Sequence, residues 1–389
     1  MSRVARITGI RPQIFNVSDK TNWFFVAVDT EDGSVAWGEA SLNGREAALE
    51  AATLWCEAQC LGLTIEAAQA RLAVDAASPQ GLAFNAAVSA TQQALVGLRA
   101  ARDGVPVHAQ LGPLARREVP AYANINRATT LRTPVGFVAT ALRAKAQGYT
   151  GFKAAPFDGV TPRNVASAEG QRLIRHGIDC LFALRDALGP DAQLMVDCHW
   201  RFDEASALDT LRALAEARLH WFECPLAETA AHWPAMRRIR AAAREQGVLL
   251  AAAEAQVGVQ AFQTLFDEAL YDVVMPDVKY CGGPHEMLTI AQRAAEAGVR
   301  FSPHNPSGPI CSQHSLHVAA VALACEWLDM QFDESPLYDA LVGQRNPALV
   351  GGKLPVPMGP GLGLTLDGAV LAAHPYRPVP LGIESSVLH

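Results

Sequence analysis

From Val119 onward, short apolar runs alternate with longer segments whose Ala, Leu and Arg residues recur at helical spacing. The runs are VPAYANI (119–125), TGFKAAP (150–156), AQLMVDCH (192–199), LHWFECP (219–225), LLAAAE (249–254), DVVMPD (272–277), RFSPH (300–304) and WLDMQF (327–332). Between most of them lies one helical segment, such as VGFVATALRAKAQG or EMLTIAQRAAEAG. Short strands joined by single crossover helices are the pattern of a parallel sheet, and eight such units predict a barrel. A doubly wound open sheet is the alternative, but no G-x-G-x-x-G follows the first strand and no GK[ST] loop is present. Upstream the order differs. WFFVAVDTEDGSVAWGEA reads as two strands, Trp23 to Asp29 and Ser34 to Glu39, around a turn at residues 31 to 33. Ala-rich helices follow over 45–61 and 82–102, so strands and then helices predict an α+β unit that ends near Pro113 to Pro120.

Polar residues interrupt the apolar runs at one repeated place. Lys153, Asp197, His199, Glu223, Glu254, Asp277 and His304 each lie at or near the carboxyl end of a run, and only Asp197 and His199 share one. In a barrel those ends all open on the same mouth, where active sites of this architecture sit. Asp197 and His199, two apart, are expected on one face of their strand. Asp197, Glu223 and Glu254 come from successive runs. Three carboxylates brought together repel unless a hard divalent cation neutralises them, and an all-oxygen donor set favours Mg²⁺ over zinc. The competing reading is a network of basic partners, for which only Lys153, Arg201 and Lys279 are near. Asp277 paired with His304 would set the imidazole tautomer and raise the basicity of its free nitrogen, as a general base requires. Lys153 could steady a substrate carboxylate, and His199 could protonate a leaving group or ligate the metal.

Composition narrows the partners. At 389 residues, 50% hydrophobic and 18% charged, the chain is globular and long enough for a barrel with additions. A net charge of -7 argues against nucleic acid and against an anionic membrane. No apolar stretch reaches the roughly 20 residues of a membrane span, and MSRVARITGI lacks a secretory apolar core, so a cytoplasmic location is expected. The eight Cys show neither a disulfide framework nor a zinc spacing and are expected to be mostly buried thiols.

The succession Asp197, Glu223, Glu254, then Asp277 and His304, resembles the enolase superfamily, mandelate racemase subgroup, over nearly the whole chain. That resemblance implies a (β/α)7β TIM-like barrel over 118–355 and an N-terminal α+β capping domain over 1–117. A segment over 356–389, containing GPGLGLTLD, would return to the cap. It implies Mg²⁺ on Asp197, Glu223 and Glu254, α-proton abstraction from a carboxylate substrate, and an enediolate stabilised by the metal. The arrangement VDCHWRF and the loop SPHNPSGPI are similar to those of galactonate dehydratase-like members. The resemblance therefore implies His304 as base, His199 as the acid that expels the 3-hydroxyl, and a 2-keto-3-deoxy sugar acid as product. The enzyme would be a hydro-lyase acting on a small sugar acid, and, since members are commonly assemblies, a homo-oligomer.

Departures from the family pattern sharpen this. FKAAPF keeps Lys153 but has Ala155 where many members carry a second lysine, which disfavours a two-base racemase. Glu223-Cys224-Pro225 replaces the frequent Glu-Glu-Pro. The acid of the last strand is Asp329 by the match of WLD, with Glu334 of FDESP as the alternative. The rival within the enzymes is a racemase or epimerase using His304 with His199 or Lys153. The rival outside is a zinc amidohydrolase-type barrel, against which VPAYANI offers no histidine. Substrate-selecting loops are expected at Asn16 to Asn22 and Leu42 to Arg45, with Trp200 and Arg201 as further candidate contacts.

Overall fold

The computed structural model describes residues 5–73, 81–342 and 349–380. Its N-terminal sheet has three antiparallel strands in sequence order, β1 (Ile7–Ser18), β2 (Thr21–Thr30) and β3 (Val35–Glu39). The continuous apolar run of β2 has a direct cause, because both its faces are covered. Phe24, Val26 and Val28 pack with the helices at 46–60 and 81–102. Trp23 and Phe25 point the other way, onto Ile310, Leu337 and Leu371 of the downstream chain. Gly38 permits the close approach of β3 to the second helix, since a Cβ there would stand 1.7 Å from the Ala90 carbonyl oxygen. The hairpin was legible in the sequence, whereas β1 was not. Residues 16–22 correct the expected loop: Asn16–Ser18 close β1, Thr21 and Asn22 open β2, and the Asn16 amide donates to Asn22 Oδ1 at 3.0 Å. Paired polar side chains at a strand end look like a loop in sequence. Leu42 to Arg45 is a loop, as expected.

Eight parallel strands follow: β4 (Glu118–Asn124), β5 (Gly151–Ala154), β6 (Gln193–Asp197), β7 (Trp221–Glu223), β8 (Leu249–Ala252), β9 (Val273–Val274), β10 (Arg300–Phe301) and β11 (Leu328–Gln331). Each hydrogen-bonds to the next up to β10, and β11 pairs with β4. The ring is completed where Phe301 bridges to Cys325 and Ser302 Oγ donates to the Trp327 carbonyl. One crossover helix of 10 to 21 residues joins each consecutive pair. This is a (β/α)7β barrel. A short antiparallel strand, β12 (Lys353–Pro355), pairs with the start of β4, and the segment beyond it reaches the cap, where Asn16 donates its N–H to the His374 carbonyl.

Side-chain alternation makes two layers of the barrel wall. Tyr122, Met195, Trp221, Ala251, Val273 and Met275 fill the interior, while Phe152, Val196, Phe222, Ala252 and Val274 face the helices. Gly151 completes the inner layer, and a Cβ there would lie 2.9 Å from that of Tyr122. Two residues beyond the plug, on the same face, stand Lys153, Asp197, Glu223, Asp277 and Asp329. All eight Cys are free and buried, as expected. Among the described residues no helix is long and apolar enough to cross a membrane.

The crossover helix Pro309–Val321 is buried nearly all round and carries His314 and His317 into the cap interface. His317 Nδ1 accepts the His108 N–H at 3.3 Å while Nε2 meets the Leu362 carbonyl at 3.1 Å, so the ring is satisfied as the neutral form. Burial lowers His317 to about 4 and His314 to about 3. Groups with depressed folded pKa values stabilise above their ordinary value near 6.5 and lose that contribution as pH falls toward the folded values. Urea unfolding measured at pH 7, 6 and 5 is therefore expected to show stability dropping by up to about 1.4 kcal/mol per pH unit for each histidine below about 6.5. His317→Gln should remove one histidine's share of that slope, and an unchanged slope would exclude the assignment.

Candidate active site

Above the interior plug the barrel mouth gathers charge that is almost wholly buried. Asp197, Glu223, Glu254, Asp277, Asp329, Lys153 and His304 are all buried. Lys153 Nζ lies 2.7 Å from Glu223 Oε1, 3.0 Å from Asp329 Oδ2 and 4.0 Å from Asp197 Oδ2, with the Tyr122 ring 5.5 Å beneath it. Trp221 of the plug donates its indole N–H to Glu223 Oε2 at 2.9 Å, so the core itself orients this carboxylate. Burial lowers the charged form of Lys153, but Asp329 and Glu223 outweigh it and hold the ammonium well above its ordinary value. Glu223 goes the other way: burial, with Asp197 adding to it against the pull of Lys153, pushes its carboxyl up to about 8. For Asp197, burial is outweighed by His199 and Lys153, and its carboxyl is held below the usual range.

Alternation alone does not place all these groups. Ala251 faces the interior, so a regular strand would turn Ala253 inward and Glu254 outward. Ala253 adopts φ +82, which reverses the parity and brings Glu254 into the mouth with Ala253 among the helix-facing residues. His199 needs a correction of the same kind. β6 ends at Asp197, and His199 lies beyond it at φ +47, so the two do not share a strand face by alternation. A tight turn brings them together instead: Asp197 Oδ1 accepts the His199 N–H at 2.9 Å, and His199 Nε2 lies 2.9 Å from Asp197 Oδ2. A carboxylate that can bond the backbone two residues on competes with the extended conformation and ends the strand.

Opposite this pair, His304 Nδ1 stands 2.8 Å from Asp277 Oδ2, and His304 Nε2 lies 3.6 Å from Glu254 Oε2. Asp277 also accepts the Lys279 N–H at 2.8 Å and has Lys279 Nζ at 3.3 Å. Burial raises the Asp277 carboxyl, but Lys279 and His304 hold it below its ordinary value. An anionic Asp277 keeps the proton of His304 on Nδ1 and leaves Nε2 as an acceptor directed at the mouth.

Of the two acids considered for the last strand, Asp329 joins the cluster through Lys153 and Glu334 does not. Glu334 takes hydrogen bonds from Thr21 Oγ1 and from Arg127 at 3.0 Å, and lines a separate cleft of about 630 Å³ with Trp23 and Tyr338. Trp200 and Arg201 are engaged in the wall: the indole N–H donates to Glu228 at 3.0 Å and the guanidinium to the Phe157 carbonyl.

Two participants were missed in the sequence. The Cys224 thiol falls within 4.8 Å of ligand atoms of Asp197 and Glu223 and 3.7 Å from Glu254 Oε2. Its signal was the departure from Glu-Glu-Pro, but φ +46 at Cys224, which aims the thiol, is not readable from residue order. Glu39 of β3 is buried and accepts the N–H groups of Gly308 at 2.7 Å and Cys311 at 3.0 Å, which fastens the loop after His304 to the cap. A carboxylate in an apolar hairpin strand was its available signal.

The donor set can be tested for fit to a cation. Asp197 and Glu223 sit side by side in register on β6 and β7, Glu254 enters from just beyond the end of β8, and Asp329 Oδ1 has no hydrogen-bond partner among the described residues. This is an excess of buried carboxyl groups facing one ammonium group, and a hard divalent ion, which favours their deprotonated form, suits it. The chain as a whole also matches known proteins. The chain is 28% identical to a D-galactonate dehydratase family member from Streptomyces bingchenggensis, over 98% of this chain and 97% of that one. It is 26% identical to the D-galactonate dehydratase of Xanthomonas euvesicatoria, with 92% of each covered. A crystal structure of a mandelate racemase/muconate lactonizing enzyme-like protein from Rubrobacter xylanophilus superposes with a TM-score of 0.84 at 25% identity, covering 97% of this chain and 100% of that one. Residues 136–370, more than half of the chain, match the enolase C-terminal domain-like family, and the chain accordingly belongs to the enolase superfamily.

Proposed function

We propose that this enzyme is a hydro-lyase that dehydrates a sugar acid of the aldonate or aldarate type. The observation that carries the reading is the pair of imidazoles bracketing the carboxylates: His304 Nε2 is 3.6 Å from Glu254 and His199 Nε2 is 2.9 Å from Asp197. A D-galactonate dehydratase and a D-galactonate dehydratase family member, each matched over most of its length, support it. Asp197, Glu223 and Glu254 would hold Mg²⁺, which when bound supplies neutralising charge and polarisation to the substrate's carboxylate. Lys153, fixed by Glu223 and Asp329, adds a positive charge on the same side.

His304 Nε2 takes the proton from the carbon next to the carboxylate, and Asp277 stabilises the imidazolium that forms. The electron pair left behind forms a carbon–carbon double bond as the 3-hydroxyl leaves with a proton from His199, so that one water is lost. The enol that remains takes up a proton and becomes the 2-keto-3-deoxy acid. An epimerase would need a second base on the opposite face of the substrate carbon. Ala155 offers none, Lys153 is occupied by two carboxylates, and His199 Nε2 is paired with Asp197 Oδ2 at 2.9 Å, which suits it to donate a proton rather than take one.

The test is incubation with Mg²⁺ in D₂O against a library of sugar acids, followed by NMR and mass spectrometry. Loss of water with a 2-keto-3-deoxy product is the expected result. Deuterium at the α-carbon with the 3-hydroxyl retained would replace this reading by the epimerase. His199→Asn should stop dehydration while α-proton exchange by His304 continues, and a variant that dehydrates at the wild-type rate would move the acid role to another residue.

A further inference from the structure

Four of the seven described non-glycine residues with positive φ lie within three positions of Asp197, Glu223 or Glu254. They are His199 (φ 47), Trp200 (φ 55), Cys224 (φ 46) and Ala253 (φ 82). L residues persist in this region only where the surroundings over-determine them. Three of the four share one partner. Glu228, half-buried in the loop after β7, accepts the Trp200 indole N–H at 3.0 Å and the Ala253 N–H at 3.1 Å on Oε1, and the Cys224 thiol lies 3.6 Å from the same oxygen. Its Oε2 accepts from Gln256 Nε2 at 3.2 Å. The backbone N–H of Trp200, in turn, donates to the Cys224 carbonyl at 2.6 Å. One carboxylate therefore ties together the ends of β6, β7 and β8, the three strands that deliver Asp197, Glu223 and Glu254.

We propose that Glu228 is a positioning residue for the metal site: it touches neither cation nor substrate but holds the left-handed turns that aim the three ligands at one point. The inference rests on the reading of Asp197, Glu223 and Glu254 as a Mg²⁺ site. The physical argument is that each turn, released, would return toward extended backbone. Ala253 would lose the parity reversal that brings Glu254 inward, and Cys224 would lose the left-handed turn that follows Glu223. Groups bonded behind metal ligands characteristically contribute 10- to 100-fold to affinity through orientation alone.

Calorimetric titration with Mg²⁺ of the wild type, E228Q, E228D and E228A tests this, with thermal unfolding of the metal-free proteins as a parallel measurement. E228Q retains an oxygen acceptor for Trp200 and Ala253 and should bind within about threefold of wild type. E228A should bind about 10- to 100-fold more weakly while its metal-free melting temperature changes little. E228D, one methylene too short to reach all its donors, should fall between them and keeps the test available if E228A does not fold. Wild-type affinity in E228A, or in E228D where E228A does not fold, overturns the proposal while leaving the metal site standing. A purely structural role would lower the melting temperature without moving the affinity of the folded variant, and that result also overturns it. A wild type that binds no Mg²⁺ overturns the metal reading, and the proposal falls with it.

Discussion

His304→Asn is expected to lower turnover by at least about 10²- to 10⁴-fold, the range lost with a positioned general base, while Mg²⁺ affinity stays within a few-fold of wild type. The split between the two readouts follows from the geometry. His304 Nδ1 is committed to Asp277 at 2.8 Å, and only Nε2 faces the mouth, 3.6 Å from Glu254. Asparagine can keep a hydrogen bond to Asp277 but has no nitrogen that takes a proton near neutral pH. The carboxylates at the ends of β6, β7 and β8 are untouched. α-Proton exchange in D₂O is the decisive measurement, because it reports abstraction without requiring the later loss of water. Exchange at the wild-type rate in this variant would remove His304 from the role of base and leave the Asp277–His304 pair as a structural contact.

Lys153→Met is expected to cost about 3–5 kcal/mol of stability in the metal-free protein, the penalty for breaking a buried ion pair from one side. Lys153 is wholly buried, and its ammonium is the near cation for Glu223 at 2.7 Å and Asp329 at 3.0 Å. Methionine keeps the stem of the side chain and removes only the ammonium position, so the loss reports charge more than packing. Without the ammonium, both carboxylates must take up protons or attract another cation. Saturating Mg²⁺ should consequently restore more stability to the variant than it adds to the wild type. Urea unfolding with and without Mg²⁺ checks both statements. A variant as stable as wild type without metal would show that the cluster is not held by this charge.

Much of the site was legible because strand-end position and residue type are both properties of the linear chain. Lys153, Asp197, Glu223, Asp277 and Asp329 all obey the period of two that carries them from the interior plug to the mouth. His199 and Glu254 stand near a strand end in the sequence, but their route into the site breaks that period. At Ala253 the backbone leaves the extended region with a tertiary hydrogen bond to Glu228, and at His199 with a local one to Asp197 whose effect on the strand end is not written in the hydrophobic period. β1 and the polar ends of β1 and β2 were hidden for a related reason. Thr21 and Asn22 are buried by Glu334, Asn43 and Glu46, partners remote in sequence, and without them a polar segment looks solvated. Glu39 was visible as a residue but not as a partner, since the loop it fastens lies 269 residues away.

What the linear chain determined by itself is the set of eight strands, the crossovers that force them parallel, and the chemistry of the groups at their carboxyl ends, because hydrophobic period and residue identity are local. What only the tertiary structure decided is which of those groups meet. The choice of Asp329 over Glu334 beside Lys153, the entry of Cys224 and the hydrogen bonds that Glu228 takes from the turns beside Asp197 and Glu254 all depend on distances of about 3–4 Å between segments far apart in sequence. Such contacts are set by backbone conformations that local preference disfavours and that neighbouring strands sustain.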